Sequence, residues 1–402
     1  MRVHPGVIAA VLFGFVLAGA VPARAQTAAE LFDINTLHEI RLSVNSRDLR
    51  TLRQNFNLNT YYTADLTWRN IRVRNVGIRS RGLGSRNGTK LGLRVDMARY
   101  TTGQTFVGLS TIILDNLWQD DALIRERLAF TMFDKLGMAA PRESFCRLFI
   151  NNEYQGVYAI SEEIDGDFAR RVTGETDGTV FEYHYVRDWR MDDLGEIANY
   201  KPLFEARTRV LEADSTLYNP IQEMVREING PEDAVWRQRV EEYIDLNQFM
   251  AHAAVEAFIG ENDGLLGYAG MNNFYLYRQQ GSKKHRVFVW DKDNAFLGPD
   301  IESPITTTDA NVLFRRAMGH ADLREIYLST VEQAARVAAT DDFLAFEVER
   351  LTALIFDAAR ADTKKQFAND RYDAAVQFIR DFAVRRPQHV LNDVARIRNG
   401  SS

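Results

Sequence analysis

The sequence contains only one cysteine, Cys146, among its 402 residues. A single thiol cannot form a disulfide within the chain, so the stability of the fold must come from burial of apolar side chains. With 46% hydrophobic residues, a chain of this length can build a large core. The sequence also lacks heptads, fixed-period repeats and low-complexity tracts, which favours one compact unit with two lobes.

Long apolar runs are missing from the chain except near its start. Val7 to Val21 is apolar, Arg2 precedes it, and the small-residue sequence Ala23-Arg24-Ala25 follows it. This order is typical of a secretory signal peptide cleaved after Ala25, and the run is short for a membrane span. A retained membrane anchor is the alternative. We therefore expect an exported protein (periplasmic, at the cell surface or secreted) with no membrane span in the mature chain.

An excess of positive charge is also missing. The formal net charge is -6, and removal of Arg2 and Arg24 with the signal peptide would change it to -8. Binding to nucleic acid or to an anionic membrane depends on clustered cations. The charge balance therefore argues against nucleic acid and membrane surfaces as main partners.

Several familiar catalytic signatures do not occur. The chain has no G-x-S-x-G and no H-E-x-x-H, and its seven histidines are scattered. The loop sequence GSRNGTK lacks the G-K-[ST] ending of a P-loop. His252 lies on an apolar helix pattern, which is more typical of a core histidine than of a metal ligand.

Acidic and amide residues occur at the ends of two strand-like runs in the stretch from Glu261 to Phe296. The runs are Phe274 to Tyr277 and Val287 to Trp290. Hard divalent cations prefer oxygen ligands, and phosphoryl transfer needs a base, a metal-holding amide and a metal-holding carboxylate. The stretch supplies these residue types in that order, although the same residues are also common turn formers and caps: Asp263, Asn272, Asn273, Asp291 and Asp293.

The chain before this stretch predicts short antiparallel strands followed by one helix. Apolar residues alternate in pieces between Glu39 and Val95. A loop from Arg79 to Lys90, rich in glycine and cations, interrupts them; it could present N–H groups and positive charge to phosphates or be a simple hairpin connection.

The predicted helix begins near Asp120 or Asp121, runs to about Lys135 and stops at Gly137. Glu126 falls on its apolar part, where a carboxylate needs a partner. Lys90 is one candidate partner, and an internal Arg–Glu pair or exposure at the helix edge are the alternatives.

A hairpin and a set of helices complete the expected architecture. Phe145 to Ser161 predicts a hairpin with an Asn/Gly turn, which leads into the acidic connector that begins at Glu162. A helix over Leu246 to Ile259 would present the central stretch. Spacings of three and four residues predict packing helices later in the chain, at Leu323 to Val337, Phe343 to Ala359 and Tyr372 to Val384.

Taken together, the segments RSRGLGSRNGTK, DNLWQDDALIRERLAFTMFDKLGMAAP, FINNEYQGVYAISEEID and WDKDNAF resemble the CotH (spore-coat protein H) kinase family. The resemblance runs from about Ile71 to about Leu391. It implies an α+β, atypical protein-kinase-like fold with two lobes, a small and mainly antiparallel β N-lobe and a larger, mostly helical C-lobe. It also implies ATP and a divalent metal, Mg or Mn, as cofactors, and a secreted or envelope protein phosphorylated on Ser or Thr as substrate, with the enzyme a monomer.

The resemblance also implies roles for individual residues. Lys90 resembles the phosphate-contacting lysine, Glu126 its helical partner, and Glu162 the connector glutamate near the adenine. Arg81, in the basic loop, is a further expected nucleotide contact. Asp263 resembles the catalytic aspartate. Asp291 resembles the metal-binding aspartate, and Asn273 or Asn272 the metal-binding asparagine. Only one of the two asparagines can reach the metal from a regular strand, because successive strand residues face opposite ways, and Asn273 is favoured. Asp293 is either a second ligand or an exposed turn residue.

The expected division is an N-lobe over residues 26–163 and a C-lobe over 164–402, with the catalytic and metal loops at 261–298. Three departures from the kinase pattern concern the metal geometry: the long interval from Asp263 to Asn273, the insertion of Leu297 before Gly298, and Lys292 between two aspartates. A non-catalytic binding protein with the same fold and a metal-dependent phosphohydrolase are the alternative functions.

Overall fold

The computed structural model describes residues 26–297, 301–306 and 311–400. The predicted signal peptide and Gly298 therefore lie outside the described residues. Within those ranges, no helix is both long and apolar enough to cross a membrane.

Strands and helices are mixed along the chain, which confirms the α+β class. The strands are β1 Leu37–Val44, β2 Tyr62–Trp68, β3 Ile71–Ser80, β4 Leu93–Asp96, β5 Thr111–Asp115, β6 Glu143–Ile150, β7 Glu153–Glu162, β8 Thr179–Tyr183, β9 Phe204–Ala206, β10 Phe274–Arg278 and β11 His285–Val289. The helices are α1 Ala28–Leu31, α2 Ser46–Gln54, α3 Arg125–Lys135, α4 Gly166–Thr173, α5 Ile197–Tyr200, α6 Asp214–Asn229, α7 Trp236–Glu241, α8 Leu246–Ile259, α9 Val312–Gly319, α10 Ala321–Ala339, α11 Phe343–Ala361 and α12 Asn369–Arg398, with a 3-10 turn at Thr340–Asp342.

The first seven strands close into a barrel in the order β1-β2-β3-β4-β5-β7-β6. Neighbouring strands are antiparallel except β1 and β6, whose parallel pairing closes the barrel. Alternate residues such as Ile40, Leu66 and Ile160 fill its interior. The sequence predicted a small, mainly antiparallel sheet here. The mainly antiparallel pairing is confirmed. The closure of these strands into a barrel was not predicted, and the pairing of β1 with β6 leaves no free sheet edge there.

A second sheet has the strand order β11-β10-β8-β9. It contains both strands predicted in the central stretch, and it adds β8 and β9, which the sequence analysis did not predict. Phe274 of β10 pairs with Val289 of β11 in antiparallel register. The residues just before Phe274 and just after Val289 therefore lie at the same edge of this sheet.

The helix that leads into the central stretch is fixed at both ends. Asp245 accepts a hydrogen bond from the N–H of Gln248 at the start of α8, and Gly260 ends the helix with a φ of 66°. Helix α8 packs against α10, and α10 packs against α12. The bounds predicted for α8, α10 and α11 agree with the structure to within a few residues. Helix α12 is longer than predicted because it continues through Pro387 to Arg398.

Candidate active site

A cleft of about 690 Å³ lies between the barrel and the second sheet. This volume is in the range of small-molecule sites in proteins. Its lining includes six residues that the sequence analysis selected: Arg81, Asp263, Asn272, Asn273, Asp291 and Asp293. The lining does not include Lys90, Glu126 or Glu162.

The Asp263 carboxylate is held by two amides. Its Oδ2 atom accepts hydrogen bonds from Nδ2 of Asn272 at 3.1 Å and from Nδ2 of Asn273 at 3.0 Å. Both asparagines precede β10, and Asn273 has a φ of 56°. Because Asn273 does not have strand geometry, the two asparagine side chains do not point to opposite sides as they would in a regular strand. The reason for favouring Asn273 over Asn272 therefore does not apply. Burial raises the pKa of Asp263, and the bond from Asn272 partly offsets that rise.

Asp291 and Asp293 follow β11 at the floor of the cleft. Asp291 has a φ of 50°, a left-handed conformation that is uncommon for a residue with a side chain. Burial raises its pKa to about 6, and the negative charge of Asp115 adds to the rise. Burial and then Asp291 raise the pKa of Asp293 well above its usual value. The two carboxylates therefore lie in a region of excess negative charge.

Glu126 of α3 belongs to the same region. Its side chain is buried, and its pKa is raised well above the usual value by burial and then by Glu143, Asp291 and Asp115. It forms no ion pair with any residue that the structure describes. The expected pairing with Lys90 is thus not found. Arg125 does not pair with Glu126 either, because it binds Asp120 and Asp121.

Glu261 adds another carboxylate at the start of the loop that bears Asp263. Its Oε1 atom accepts a hydrogen bond of 2.7 Å from the Asp263 N–H. The Oε2 atom is buried and has no hydrogen-bond partner among the described residues. Burial raises the pKa of Glu261 to about 8. An acceptor left in this state is one that a bound cation or donor would satisfy.

Lys90 lies elsewhere. Its Nζ atom is 2.7 Å from Oδ2 of Asp362, at the end of α11, and both side chains are fully buried. The ammonium group also lies 5.1 Å from the centre of the Tyr158 ring. The backbone turns Lys90 inward after the basic loop, so the structure encloses it between the barrel and the helices. The expectation that Lys90 faces the cleft beside Glu126 is corrected accordingly.

Arg81 brings positive charge to the cleft. Its NH1 atom is 3.0 Å from Oδ2 of Asp115, and its guanidinium lies over the Trp290 ring at 5.3 Å from the centroid. Asp115 ends β5, as Asp291 follows β11. Asp115 was not predicted from the sequence, although it shares with Asp291 the position of a polar residue at the end of an apolar strand.

The acidic connector reaches the cleft through Glu163 rather than Glu162. Glu162 is buried against Arg142 and Arg171, each at 2.6 Å. Glu163 lines the cleft and binds Arg94 at 3.1 Å and Arg207 at 2.7 Å. Neighbouring residues of an extended chain point to opposite sides, so Glu163 faces the cleft and Glu162 does not.

Glu182, His184 and Glu205 form another group at the cleft wall, with ligand atoms within 4.8 Å of one another. His184 Nε2 and Glu205 Oε2 are 2.9 Å apart. Arg207 lies 3.4 Å from Glu182 and 3.6 Å from Glu205. Because a guanidinium already lies beside these carboxylates and offsets part of their charge, the group is less suited to a cation than the carboxylates around Asp291.

This chain is similar to a known protein family and to individual known proteins. The family model described as "CotH kinase protein" matches residues 78–390. The inner spore coat protein H of Bacillus subtilis (strain 168) is 24% identical over 299 residues, which cover 71% of this chain and 79% of that protein. A crystal structure of the Helicobacter pylori proinflammatory kinase CtkA matches with a TM-score of 0.33 and 10% identity, covering 77% of this chain and 95% of that one. The family match spans most of the chain, and on that ground the protein belongs to the CotH kinase family.

Proposed function

We propose that this protein transfers the γ-phosphoryl group of ATP to a Ser or Thr hydroxyl of a secreted or envelope protein, with the help of a divalent metal ion. The observation that carries the proposal is the crowding of carboxylates around Asp291 without a matching number of cations. Such a cluster is unfavourable by itself and becomes favourable when a metal ion binds. The kinase-like division into an N-lobe of residues 26–163 and a C-lobe from 164 onwards is part of the same proposal.

The donor set suits Mg or Mn. Asp291, Asp293 and the amide oxygens of Asn272 and Asn273 are hard oxygen ligands. Burial and neighbouring carboxylates raise the pKa of Asp291 and Asp293. In this assignment Asp291 and Asn273 hold the ion, with Asn272 and Asp293 as further candidates. A bound divalent ion would supply charge neutralisation for the phosphates.

Arg81 is the residue that we assign to the phosphates. It lies in the basic loop, lines the cleft and presents a planar group with several donors. Lys90 is not assigned this role, since its ammonium group is enclosed and bound to Asp362. Arg94 and Arg207 lie further along the cleft, where Glu163 already engages them.

Asp263 would act on the acceptor hydroxyl. The hydroxyl oxygen forms a bond to the γ-phosphorus while the bond from that phosphorus to the bridging oxygen of ADP breaks, and the proton passes to the Asp263 carboxylate. The hydrogen bonds from Asn272 and Asn273 fix one carboxylate oxygen and leave the other for the hydroxyl. Positioning and charge neutralisation would supply most of the rate.

Calorimetric titration of the purified protein with ATP, with and without Mg or Mn, tests the proposal. We expect binding that requires the metal and that disappears in Asp291→Ala. In Asp263→Ala we expect binding to persist while transfer to protein hydroxyls falls by about 10²- to 10⁴-fold, the usual contribution of a general base. The assignment is wrong if both variants keep full activity.

The same experiment separates the alternatives. Absence of nucleotide binding with either metal would favour a non-catalytic envelope binding protein. Loss of ATP without labelled protein would favour a metal-dependent phosphohydrolase that uses the same carboxylates.

A further inference from the structure

A second fully buried lysine lies directly beneath the candidate site. Lys292, between Asp291 and Asp293 in sequence, has no exposed surface. Its Nζ atom is 2.8 Å from Oε1 of Glu256 on α8 and donates a hydrogen bond of 2.9 Å to the carbonyl oxygen of Asn273. One ammonium group thus joins a helix, the end of the loop that bears Asp263, and the strand end that bears Asp291.

Glu256 holds the other part of the same loop. Its Oε2 atom accepts a hydrogen bond of 2.8 Å from the N–H of Leu265, two residues after Asp263. The fit is close, since a Cβ atom at Gly264 would lie 2.4 Å from the Glu256 carboxylate oxygens. The loop is then closed on itself by a 3.0 Å bond from the Asn272 N–H to the Gly264 carbonyl oxygen.

These contacts determine where the Asp263 side chain lies. The Lys292–Glu256 pair binds the loop at Leu265, just after Asp263, and again at Asn273. The side chains of Asp263 and Asn273 are hydrogen-bonded to each other at 3.0 Å. A buried ion pair is a poor source of stability, because the cost of removing both charges from water cancels much of their attraction. Fixing a loop between two anchor points is a role that such a pair can fill and that apolar side chains of the same volume cannot.

We propose that the Lys292–Glu256 pair is a positioning device that fixes the loop of residues 261–273, which makes Lys292 and Glu256 positioning residues for the proposed phosphoryl transfer. This inference rests on the proposed function for its effect on turnover. Its effect on the loop does not depend on that function.

The test replaces both charges together, in Lys292→Met combined with Glu256→Gln, so that neither member of the pair is left buried without the other. The matched control removes an ion pair far from the cleft, in Arg350→Met combined with Glu347→Gln, whose atoms are 2.6 Å apart. Amide hydrogen exchange at Leu265 and Asn272 reports on the loop directly. Steady-state kinetics with ATP report on turnover separately from nucleotide binding.

For the Lys292 and Glu256 variant we expect exchange at Leu265 and Asn272 to be about tenfold faster or more. We expect kcat to fall about 100-fold, as for a misplaced catalytic group, with a much smaller change in KM for ATP. The control should change neither exchange at these amides nor kcat. Exchange at Leu265 that matches the unmodified protein overturns the inference, and so does a loss of kcat no larger than in the control.

Failure of the proposed function would look different. The unmodified protein would then show no metal-dependent nucleotide binding and no transfer. Hydrogen exchange would still decide whether Lys292 and Glu256 fix the loop.

Discussion

Charged side chains are buried in two neighbouring regions of this molecule, and the regions differ in whether each buried charge has a partner of opposite sign. In the first, Lys90 and Asp362 form a closed pair: Asp362 also accepts hydrogen bonds from the N–H groups of Val157 at 3.1 Å, Lys364 at 2.9 Å and Lys365 at 3.0 Å. In the second, carboxylates from β5, α3, the loop before β10 and the end of β11 converge with fewer cations than anions.

The difference separates a structural site from a candidate binding site. Where each buried charge has its partner, the chain itself completes the site, and nothing further is needed. Where burial and neighbouring carboxylates raise the pKa of Glu126, Asp291 and Asp293, the chain leaves a charge imbalance that a ligand can correct. The resemblance to kinases assigned Lys90 to the second region, and its contacts assign it to the first.

Among the substitutions, breaking the closed pair should reduce stability the most. Asp362→Ala leaves the Lys90 ammonium buried without a counter-ion. It also removes the acceptor of three further hydrogen bonds. We expect the free energy of unfolding to fall by about 3–5 kcal/mol, measured by urea denaturation. Nucleotide affinity at temperatures where the variant is folded should change little.

The matched control for this change is Asp362→Asn combined with Lys90→Met, which removes both charges and keeps an acceptor oxygen. It should recover much of the lost stability. If Asp362→Ala instead abolished nucleotide binding without loss of stability, Lys90 would belong to the nucleotide site after all.

The carboxylate cluster should make stability depend on pH in the opposite sense to ordinary acid denaturation. Burial raises the pKa to about 6 for Asp291, about 7 for Glu143 and about 8 for Glu261. Unfolded carboxyl groups titrate near pH 4, so the folded state holds more protons between pH 4 and 8. Stability from these groups is therefore present at low pH and lost as pH rises through 6 to 8, by about 1.4 kcal/mol for each unit of pKa shift.

Urea denaturation at pH 5 and pH 8 measures this slope. Addition of Mn should restore stability mostly at pH 8, where the carboxylates are ionised, and Asp291→Asn should reduce both the slope and the metal effect. A profile that is flat without metal would mean that the cluster is balanced by the chain alone.

The sequence was informative where local pattern decides structure. The strands β10 and β11, the helix α8 and the aspartates and asparagines at their ends follow from alternation, capping and strand-end polarity, all of which act over a few residues. Asp263, Asn272, Asn273, Asp291 and Arg81 do line one cleft. These features need no knowledge of which distant segments meet.

The errors arose where distant segments decide the outcome. The partner of Lys90 is 272 residues away in sequence, and no local pattern points to Asp362. Glu162 and Glu163 are neighbours at the end of β7, and the direction of the chain there decides which of them faces the cleft. The choice between Asn272 and Asn273 assumed a regular strand. Asn273 instead has a left-handed backbone conformation, and its carbonyl oxygen accepts a hydrogen bond from Lys292.

Glu126→Gln should have the smallest effect, and its sign tests the comparison most directly. Glutamine keeps the size of the side chain and removes one charge from the crowded region. At pH 8 without metal we expect the free energy of unfolding to rise by about 1 kcal/mol, because repulsion from Glu143 and Asp291 is relieved. At pH 5 the change should be smaller, because the raised pKa of Glu126 favours its neutral form as the pH falls. If Glu126 instead served as the counter-ion of a lysine, the same substitution would lower stability at pH 8, so the sign of this small change decides between the two arrangements.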